Sequence, residues 1–482
     1  MQRRHLLRSV FWLYGSQFAT VLFQFGYAAI TSRLLNAEQF GSYAVALSLS
    51  GLIALLASGG TSQAISRASL LSQEVIKGLL TVTIFAGAVG ALCIALFARL
   101  WSLWWGNPHS EIVSYYLALN VFLTPTIALG TSVLRRQNKY KQLALSIFLT
   151  NLAGMIIGGL AVFSLRSSES LTLSLTLSQF TLCVVTLLLI GRSNLGLLHP
   201  RNALDEVKFS LRIILVKILE FTNGNALKWG VSTLLGSSTM GIWNRTEVLT
   251  TVPFSHFQTS ILQVAEPEFR HARNDPSSAK DIWTSLLRSI ASIFFPLGVV
   301  AGVTLPFISP LLIGQKWHIG PQVFIPLALV GSLTLCVSLL NSAVQSQGIF
   351  RRVWISHFAV LVTQFAGLAL LRLTMSFTFA LDWILVALLV QHSIQIAQCS
   401  RSGLLDTKLV IRVYLGSLAF GATLGASLYV IYSGIQEGQL LSIQALVAVA
   451  ACAALVVCAI INRKKLPFMK AARAFDLARA QV

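Results

Sequence analysis

The chain has 482 residues, of which only 11% are charged and 55% are hydrophobic, and its formal net charge is +20. Soluble proteins carry roughly 25% charged residues. So little charge cannot cover the water-facing surface of a chain of this length, which excludes a soluble globular enzyme. The hydrophobic content also excludes a disordered chain. We therefore expect an integral membrane protein.

Long apolar runs recur from one end of the chain to the other. Because these runs are continuous and do not alternate with a period of two residues, a β-barrel is disfavoured and an all-α fold is predicted. A membrane-spanning helix needs about 20 apolar residues. The sequence predicts about fourteen transmembrane helices, which we number as spans one to fourteen: 10–31, 42–65, 79–104, 112–134, 143–165, 171–191, 210–235, 239–262, 286–312, 322–343, 353–373, 377–397, 410–432 and 440–461.

The basic residues lie in short clusters between the apolar runs. When the amino terminus, with Arg3, Arg4 and Arg8, is placed in the cytoplasm, most Lys and Arg residues fall in loops on the same side, as the positive-inside rule requires. The net charge then orients the helices against an anionic leaflet, and no nucleic-acid partner is expected. We predict that both termini are cytoplasmic, including a basic tail at 462–482.

Motifs for catalysis and for cofactor binding are absent from the sequence. It contains no P-loop motif, and its His and Cys residues do not show metal-ligand spacing. The six cysteines have no C-x-x-C pattern, and no loop is long enough to form a catalytic domain. We therefore expect no enzyme activity, no cofactor and no metal site.

The sequence contains an internal repeat. The segment after span one reads Ser32-Arg33-Leu34-Leu35 and then Phe40-Gly41-Ser42-Tyr43, and the segment after span seven reads Ser232-Thr233-Leu234-Leu235 and then Met240-Gly241-Ile242-Trp243. Gly41 therefore corresponds to Gly241, and Tyr43 to Trp243. A second similarity links the residues after span four, 137–141, with those after span ten, 347–351.

Six spans separate the two copies of the repeat, so both copies enter the membrane in the same direction. This arrangement predicts two six-helix lobes, 1–191 and 210–397, related by a pseudo-twofold axis along the membrane normal. Two additional transmembrane helices are expected at 410–461. A two-lobed membrane protein usually binds its ligand between the lobes, which favours a transporter.

Three motifs in the sequence resemble those of one protein family. Residues 32–43 are similar to the pattern R-x-L-x-x-x-x-F-G-x-Y of bacterial polysaccharide exporters, and residues 241–245 resemble its second-lobe counterpart. Gly314-Gln315-Lys316-Trp317 is similar to the family's G-x-x-W. The chain thus resembles the Wzx-type polysaccharide or O-antigen repeat-unit flippases, whose superfamily also includes multidrug extruders and lipid II flippases.

The resemblance implies a flippase that moves a polyprenyl-diphosphate-linked oligosaccharide across the bacterial cytoplasmic membrane by ion- or potential-driven alternating access. The partners it implies are the lipid-linked oligosaccharide, membrane lipids, a glycan polymerase and chain-length regulator proteins. One position departs from the family. The family often carries N-x-D-[RK] near the end of span seven, whereas this chain has Leu227 in place of the acid, and Glu220 is the nearest replacement.

Ionisable residues in spans seven and eight are the main candidates for a substrate site, since a charged side chain inside the bilayer costs about 2.5 kcal/mol or more without a partner or water. Lys217, Glu220 and Lys228 share one stripe of the predicted helix with Gly224, and span eight carries Arg245. We predict that they form a cationic cavity for an anionic head group. Alternatively, Lys217 and Glu220 neutralise each other, and Arg245 reaches the outer interface.

Further polar residues extend the predicted site. Glu220 and Glu247 are candidates for coupling transport to a proton or Na⁺. The remaining substrate-binding candidates are amide side chains, which could bond sugar hydroxyls or simply join helices: Asn223, Asn225, Gln17 and Gln24.

Two other functions are compatible with the sequence. A multidrug extruder of the same superfamily would usually have acidic residues in its cavity, because its substrates are mostly cations. A membrane-embedded glycan polymerase or ligase would need acids or histidines grouped on the outer face. The acids predicted outside, Glu111, Glu169, Asp382 and Glu437, are instead scattered singly. A non-transporting scaffold is a third alternative.

Overall fold

A computed structural model of the chain describes residues 19–62, 65, 71–199, 204–271, 276–317, 319–347 and 350–436. This part of the chain contains helices and no β-strand, which confirms the predicted all-α fold class. The helices are α1 (19–34), α2 (Ala37–Ser58), α3 (Gln73–Trp104), α4 (His109–Arg136), α5 (Tyr140–Leu165), α6 (Ser168–Ile190), α7 (Leu204–Leu235), α8 (Ser237–Leu249), α9 (Thr251–His271), α10 (Pro276–Ile313), α11 (Pro321–Ser346), α12 (Phe350–Thr374), α13 (Phe377–Arg401) and α14 (Thr407–Gln436). Span fourteen and the basic tail lie outside the described residues.

Ten of the described helices are long and apolar enough to cross a membrane: α2 to α6 and α10 to α14. Large hydrophobic side chains on these helices are exposed, among them Phe85, Leu96 and Trp104 on α3 at 70%, 63% and 71%. Exposure of this extent along a continuous helix suits contact with lipid, where helices satisfy their own backbone hydrogen bonds. The chain is an all-α membrane protein.

Helix α2 shows how local capping corrects a predicted span. Span two was predicted at 42–65 from hydropathy, whereas α2 runs from Ala37 to Ser58. The Asn36 side chain accepts a hydrogen bond from the Gln39 N–H, and the Gln39 side chain accepts one from the Asn36 N–H, so a capping box starts the helix early. Gly59, in the left-handed conformation at φ 54°, ends it.

Span eight, predicted as one helix at 239–262, is instead two helices. α8 ends at Leu249 and α9 begins at Thr251. Pro253 has no N–H to donate to the Leu249 carbonyl, which accounts for the interruption at this point. With 13 residues, α8 is only about 20 Å long, short of the roughly 30 Å hydrocarbon core.

The chain forms two compact units, Met1–Arg245 and Thr246–Val482. In the first unit, α4 lies at the centre and packs against α2, α3 and α6. In the second unit, α11 is central and packs against α9, α10 and α13. The most apolar stretches of α4 and α11 are 67% and 78% buried, whereas no other candidate span exceeds 44%.

These two central helices correspond to predicted spans four and ten. They lie six spans apart, which is the spacing that the internal repeat predicts. The bounds of the two predicted lobes, 1–191 and 210–397, and of the additional helices, 410–461, stay predictions.

Small residues bring α5 and α6 into close contact. Gly154 and Gly158, one helical turn apart, face Ser174 and Ser178 on α6, and a Cβ at either glycine would overlap one of these serines. Small residues four apart let membrane helices approach until their backbones touch, and this contact replaces the hydrophobic driving force that lipid removes.

Candidate functional site

The beginnings of α2 and α8 pack against each other through two glycines that correspond in the repeat. A Cβ at Gly41 would overlap the carbonyl oxygen of Ser237, and a Cβ at Gly241 would overlap the carbonyl oxygen of Ala37. Ala37 and Ser237 also correspond in the repeat, so the two contacts are reciprocal. Reciprocity of this kind defines a two-fold contact, and it gives the sequence repeat a structural counterpart here.

This contact places Arg245 on α8 against Phe40 on α2. The centre of the Arg245 guanidinium lies 3.8 Å from the centroid of the Phe40 ring, in a cation–π arrangement. The Asn244 side-chain oxygen accepts hydrogen bonds from Arg245 Nε and Nη2 at 3.3 and 2.7 Å. Phe40 is fully buried and Arg245 is only 8% exposed, so Arg245 does not reach outward in the way that the alternative interpretation assumed.

Arg245 has no carboxylate partner among the described residues. The phenols of Tyr27 and Tyr43 lie near it, and a phenol is uncharged at neutral pH. A buried cation without an anion is costly. The positive charge of Arg245 is thus uncompensated within the described part of the chain, and a bound anion would neutralise it.

Lys217 and Glu220 form an ion pair on α7, with 2.5 Å between Nζ and Oε2. Their side chains are 40% and 28% exposed, so the pair is neither dry nor fully solvated. This geometry agrees with the alternative in which the two charges neutralise each other. It is also compatible with the predicted ion-coupling role of Glu220, which stays a prediction.

The predicted stripe of α7 is an accessible face of the helix. Lys217, Glu220 and Lys228 are all partly exposed, and Gly224 between them is exposed. Apart from the neighbouring residues and backbone of its own helix, no atom of the described part of the chain lies within 4 Å of the position that a Cβ would take at Gly224. Because charged side chains avoid lipid tails, this face requires water or lipid head groups beside it.

Helix α7 also carries the predicted amides Asn223 and Asn225, and Leu227 at the position where the family often has an acid. Asn225 donates its side-chain Nδ2–H to the Phe221 carbonyl at 2.9 Å, within its own helix, and Asn223 is partly exposed. Leu227, where the family often has an acid, is 1% exposed. A carboxylate at this position would be buried, so a role that depends on water cannot be carried out there.

The remaining predicted site residues lie on α1, on α8 and outside the described residues. Gln24 on α1 and Glu247 on α8 are partly exposed. Gln17 lies outside the described residues. The substrate-binding and ion-coupling roles assigned to these three residues stay predictions.

An aromatic cluster that the sequence analysis missed adjoins Lys228. The Trp229 ring packs at 6.0 Å from Trp101 and at 5.9 Å from Trp105, and Trp104 stacks on Trp105 at 5.6 Å. The indole N–H groups of Trp105 and Trp229 are buried without an acceptor in the described part of the chain. The spacing Trp101-x-x-Trp104-Trp105 was the available signal. It predicts a tryptophan cluster at the end of α3 but not its contact with α7.

A buried polar network in the second unit was also missed. His357 on α12 contacts Asn341 and Gln391 at 3.4 Å each, and Gln395 donates to Asn341 at 2.7 Å. His357, Gln391 and Gln395 are each at most 5% exposed. Such networks of amides join membrane helices, and here they connect α11, α12 and α13. Gln391 and Gln395 lie one helical turn apart in an apolar span. They were not predicted, because the prediction relied on charged residues.

Comparison with known families now assigns the chain. The model of a family described as polysaccharide biosynthesis proteins matches residues 30–319, more than half of the chain. The chain belongs to this family. The match includes α8 and both copies of the glycine contact described above. A search of curated proteins by sequence finds no significant match.

Solved structures of membrane transporters share the fold. A lipid II flippase, MurJ, in an inward closed conformation is similar with a TM-score of 0.70 at 12% identity, over 94% of this chain and 99% of that chain. An inward-facing multidrug resistance MATE transporter of the MOP superfamily gives 0.58 at 15% identity, over 79% and 95% of the two chains. An outward-facing multidrug resistance MATE transporter of the MOP superfamily gives 0.56 at 12% identity, over 84% and 96% of the two chains. Family and fold together make the chain an all-α membrane protein of the polysaccharide biosynthesis family, with a fold that these transporters share.

Proposed function

We propose that this protein is a flippase for a polyprenyl-diphosphate-linked oligosaccharide repeat unit in the cytoplasmic membrane of a bacterium. The family of polysaccharide biosynthesis proteins supports a glycan as the cargo, and the MurJ-like fold supports a lipid-linked one. A transporter of this kind catalyses no covalent chemistry. A polymerase that consumes the exported unit and a regulator of chain length are the protein partners that this role calls for.

Arg245 is the observation that carries the proposal. A diphosphate is a compact anion, and an arginine guanidinium binds phosphate oxygens through two parallel hydrogen bonds. Arg245 is buried, and no described carboxylate neutralises it. Lys228, on the accessible face of α7, would provide a second positive charge as a point contact.

Transport would proceed by alternating access driven by an ion gradient or by the membrane potential. The Lys217–Glu220 pair supplies a candidate coupling element. When Glu220 binds a proton or Na⁺, Lys217 loses its partner and its charge becomes available to the anionic head group. Glu247 is the second candidate for this step.

The site assignment is tested by transport of a labelled lipid-linked glycan in reconstituted vesicles. For Lys228→Ala combined with Arg245→Ala we expect the initial rate to fall at least tenfold, since hydrogen bonds to charged groups contribute about 1.5–3 kcal/mol each. The matched control removes two exposed cations, Arg135→Ala with Lys141→Ala, and should transport like the parent. A double variant at Lys228 and Arg245 that also transports like the parent would show that the site is elsewhere.

The multidrug extruder is the second candidate because the MATE transporters share the fold. Cationic drugs need acidic residues in the cavity, whereas Leu227 takes the place of the family's acid and Arg245 is a buried cation. We expect the reconstituted protein to give no uptake of a cationic dye above protein-free vesicles. Dye uptake together with no glycan transport would favour the extruder.

A further inference from the structure

Three arginines of the second unit line one groove between the start of α12 and the end of α13. The groove has a volume of about 580 Å³ and is lined by Arg351 and Arg352 from the first turn of α12 and by Arg401 from the last turn of α13. The charge pattern of the sequence predicts that this end of both helices faces the cytoplasm. The positive-inside rule accounts for basic residues at this level, but it does not require three of them to face one concavity.

The positive charge of this groove is not neutralised. None of the three arginines forms an ion pair with a residue that the structure describes. Arg351 and Arg401 are exposed, and Arg352 is partly buried, with Nη1 donating to the Gln398 carbonyl at 3.4 Å. Because Arg351 and Arg352 lie in the first turn of α12, the positive end of the helix dipole adds to their field.

The wall of the groove changes from charged to apolar within one helical turn. Ile355 follows Arg351 by four residues on α12, and Ala397 precedes Arg401 by four residues on α13, with Ile394 a further turn along. Ile355 is 47% exposed, so the apolar wall is accessible. A cationic rim beside an apolar wall matches a molecule with a phosphate at one end and a hydrocarbon chain at the other.

We propose that this groove binds an anionic phospholipid of the cytoplasmic leaflet. The phosphodiester is held by Arg351, Arg352 and Arg401, and one acyl chain lies along Ile355 and Ile394. Basic pockets between transmembrane helices on the cytoplasmic side recognise anionic head groups in this way. The site is formed by residues of the second unit, and none of them is a candidate substrate residue.

The test measures binding of phosphatidylglycerol and of phosphatidylcholine to the purified full-length protein by native mass spectrometry. The groove variant is Arg351→Gln with Arg352→Gln and Arg401→Gln. The control removes three exposed cations elsewhere on the same predicted face, Arg135→Gln with Lys141→Gln and Arg192→Gln. We expect phosphatidylglycerol to bind at least tenfold more weakly to the groove variant, and within about twofold of the parent to the control.

Two further measurements keep the proposal falsifiable. Ile355→Trp fills the apolar wall and leaves all three charges in place, and we expect it to weaken phosphatidylglycerol binding about fivefold or more. This single variant also provides the test if the triple variant does not fold. If phosphatidylglycerol binding weakens equally in the groove and control variants, the lipid is held by general surface charge. That result would overturn the proposal. Displacement of the lipid by an equimolar amount of inorganic phosphate would identify a free-phosphate site and would equally overturn it.

Discussion

Arg245 is buried, stacked on Phe40 and bonded to Asn244. A residue with these contacts could serve packing alone, or it could hold its charge for an anion. The two roles differ in what an apolar side chain of similar length would do. Replacing a buried cation that has no anionic partner removes the cost of burying an uncompensated charge, whereas removal of an anion-binding group weakens anion binding.

For Arg245→Met we therefore expect thermal stability equal to or slightly above that of the parent, and glycan transport reduced at least about tenfold. The measurements are thermal unfolding in detergent and transport in vesicles. Arg135→Met, an exposed position, provides the control and should change neither quantity. Parental transport together with a loss of stability would assign Arg245 to packing.

Single residues were predicted from the sequence when their charge stood out in an apolar run. Lys217, Glu220, Lys228 and Arg245 were selected in this way, and their roles in a substrate site stay predictions. The sequence could not show that Arg245 faces Phe40, because the two residues are distant in the chain and meet only through the α2–α8 contact. His357 and its amide partners escaped notice because they carry no fixed charge.

At the scale of elements, the glycine contact between α2 and α8 holds two backbones together. A methyl group at Gly41 would collide with the Ser237 carbonyl, and a backbone atom cannot move aside as a side chain can. Because overpacking of this kind costs about 1–3 kcal/mol, the contact is sensitive to the smallest possible substitution.

We expect Gly41→Ala to destabilise the protein by about 1–3 kcal/mol and to lower its thermal unfolding temperature. Gly26→Ala on α1 is the matched control, since the added Cβ has no neighbour within 4 Å among the described residues beyond its own helix backbone, and alanine favours the helix. Thermal unfolding of both variants measures the difference. An unfolding temperature for Gly41→Ala at or above that of Gly26→Ala would contradict the close contact.

Helix bounds were predicted well where an apolar run and its helix end together, and poorly where the backbone of a single residue ends the helix. α11, predicted at 322–343, begins at Pro321 and ends at Ser346. Spans two and eight were predicted to continue past Gly59 and Thr250, whereas α2 ends at the first and span eight is interrupted at the second. At both positions the backbone requirements of Gly or Pro decide the boundary.

For the whole molecule, composition predicted a membrane protein, and continuous apolar runs without a two-residue alternation predicted that its spans are helices. The repeat added that spans six apart should be equivalent, and the burial of α4 and α11 agrees with this. The identity of the packed faces could not be predicted, since lipid-facing and protein-facing surfaces are equally apolar in these helices.

The central claim is that the protein moves a diphosphate-linked glycan across a bilayer, and it is tested most directly with the purified parent protein in vesicles. The vesicles contain a polyprenyl-diphosphate oligosaccharide labelled on the glycan, and a membrane-impermeant enzyme that cleaves the label reports which leaflet holds it. The label in the inner leaflet is protected from this enzyme. We predict that an imposed ion gradient or potential makes this protected fraction accessible, and that protein-free vesicles keep it protected. A protected fraction that stays unchanged with folded protein, under both a proton gradient and a Na⁺ gradient and with either sign of potential, would contradict the claim.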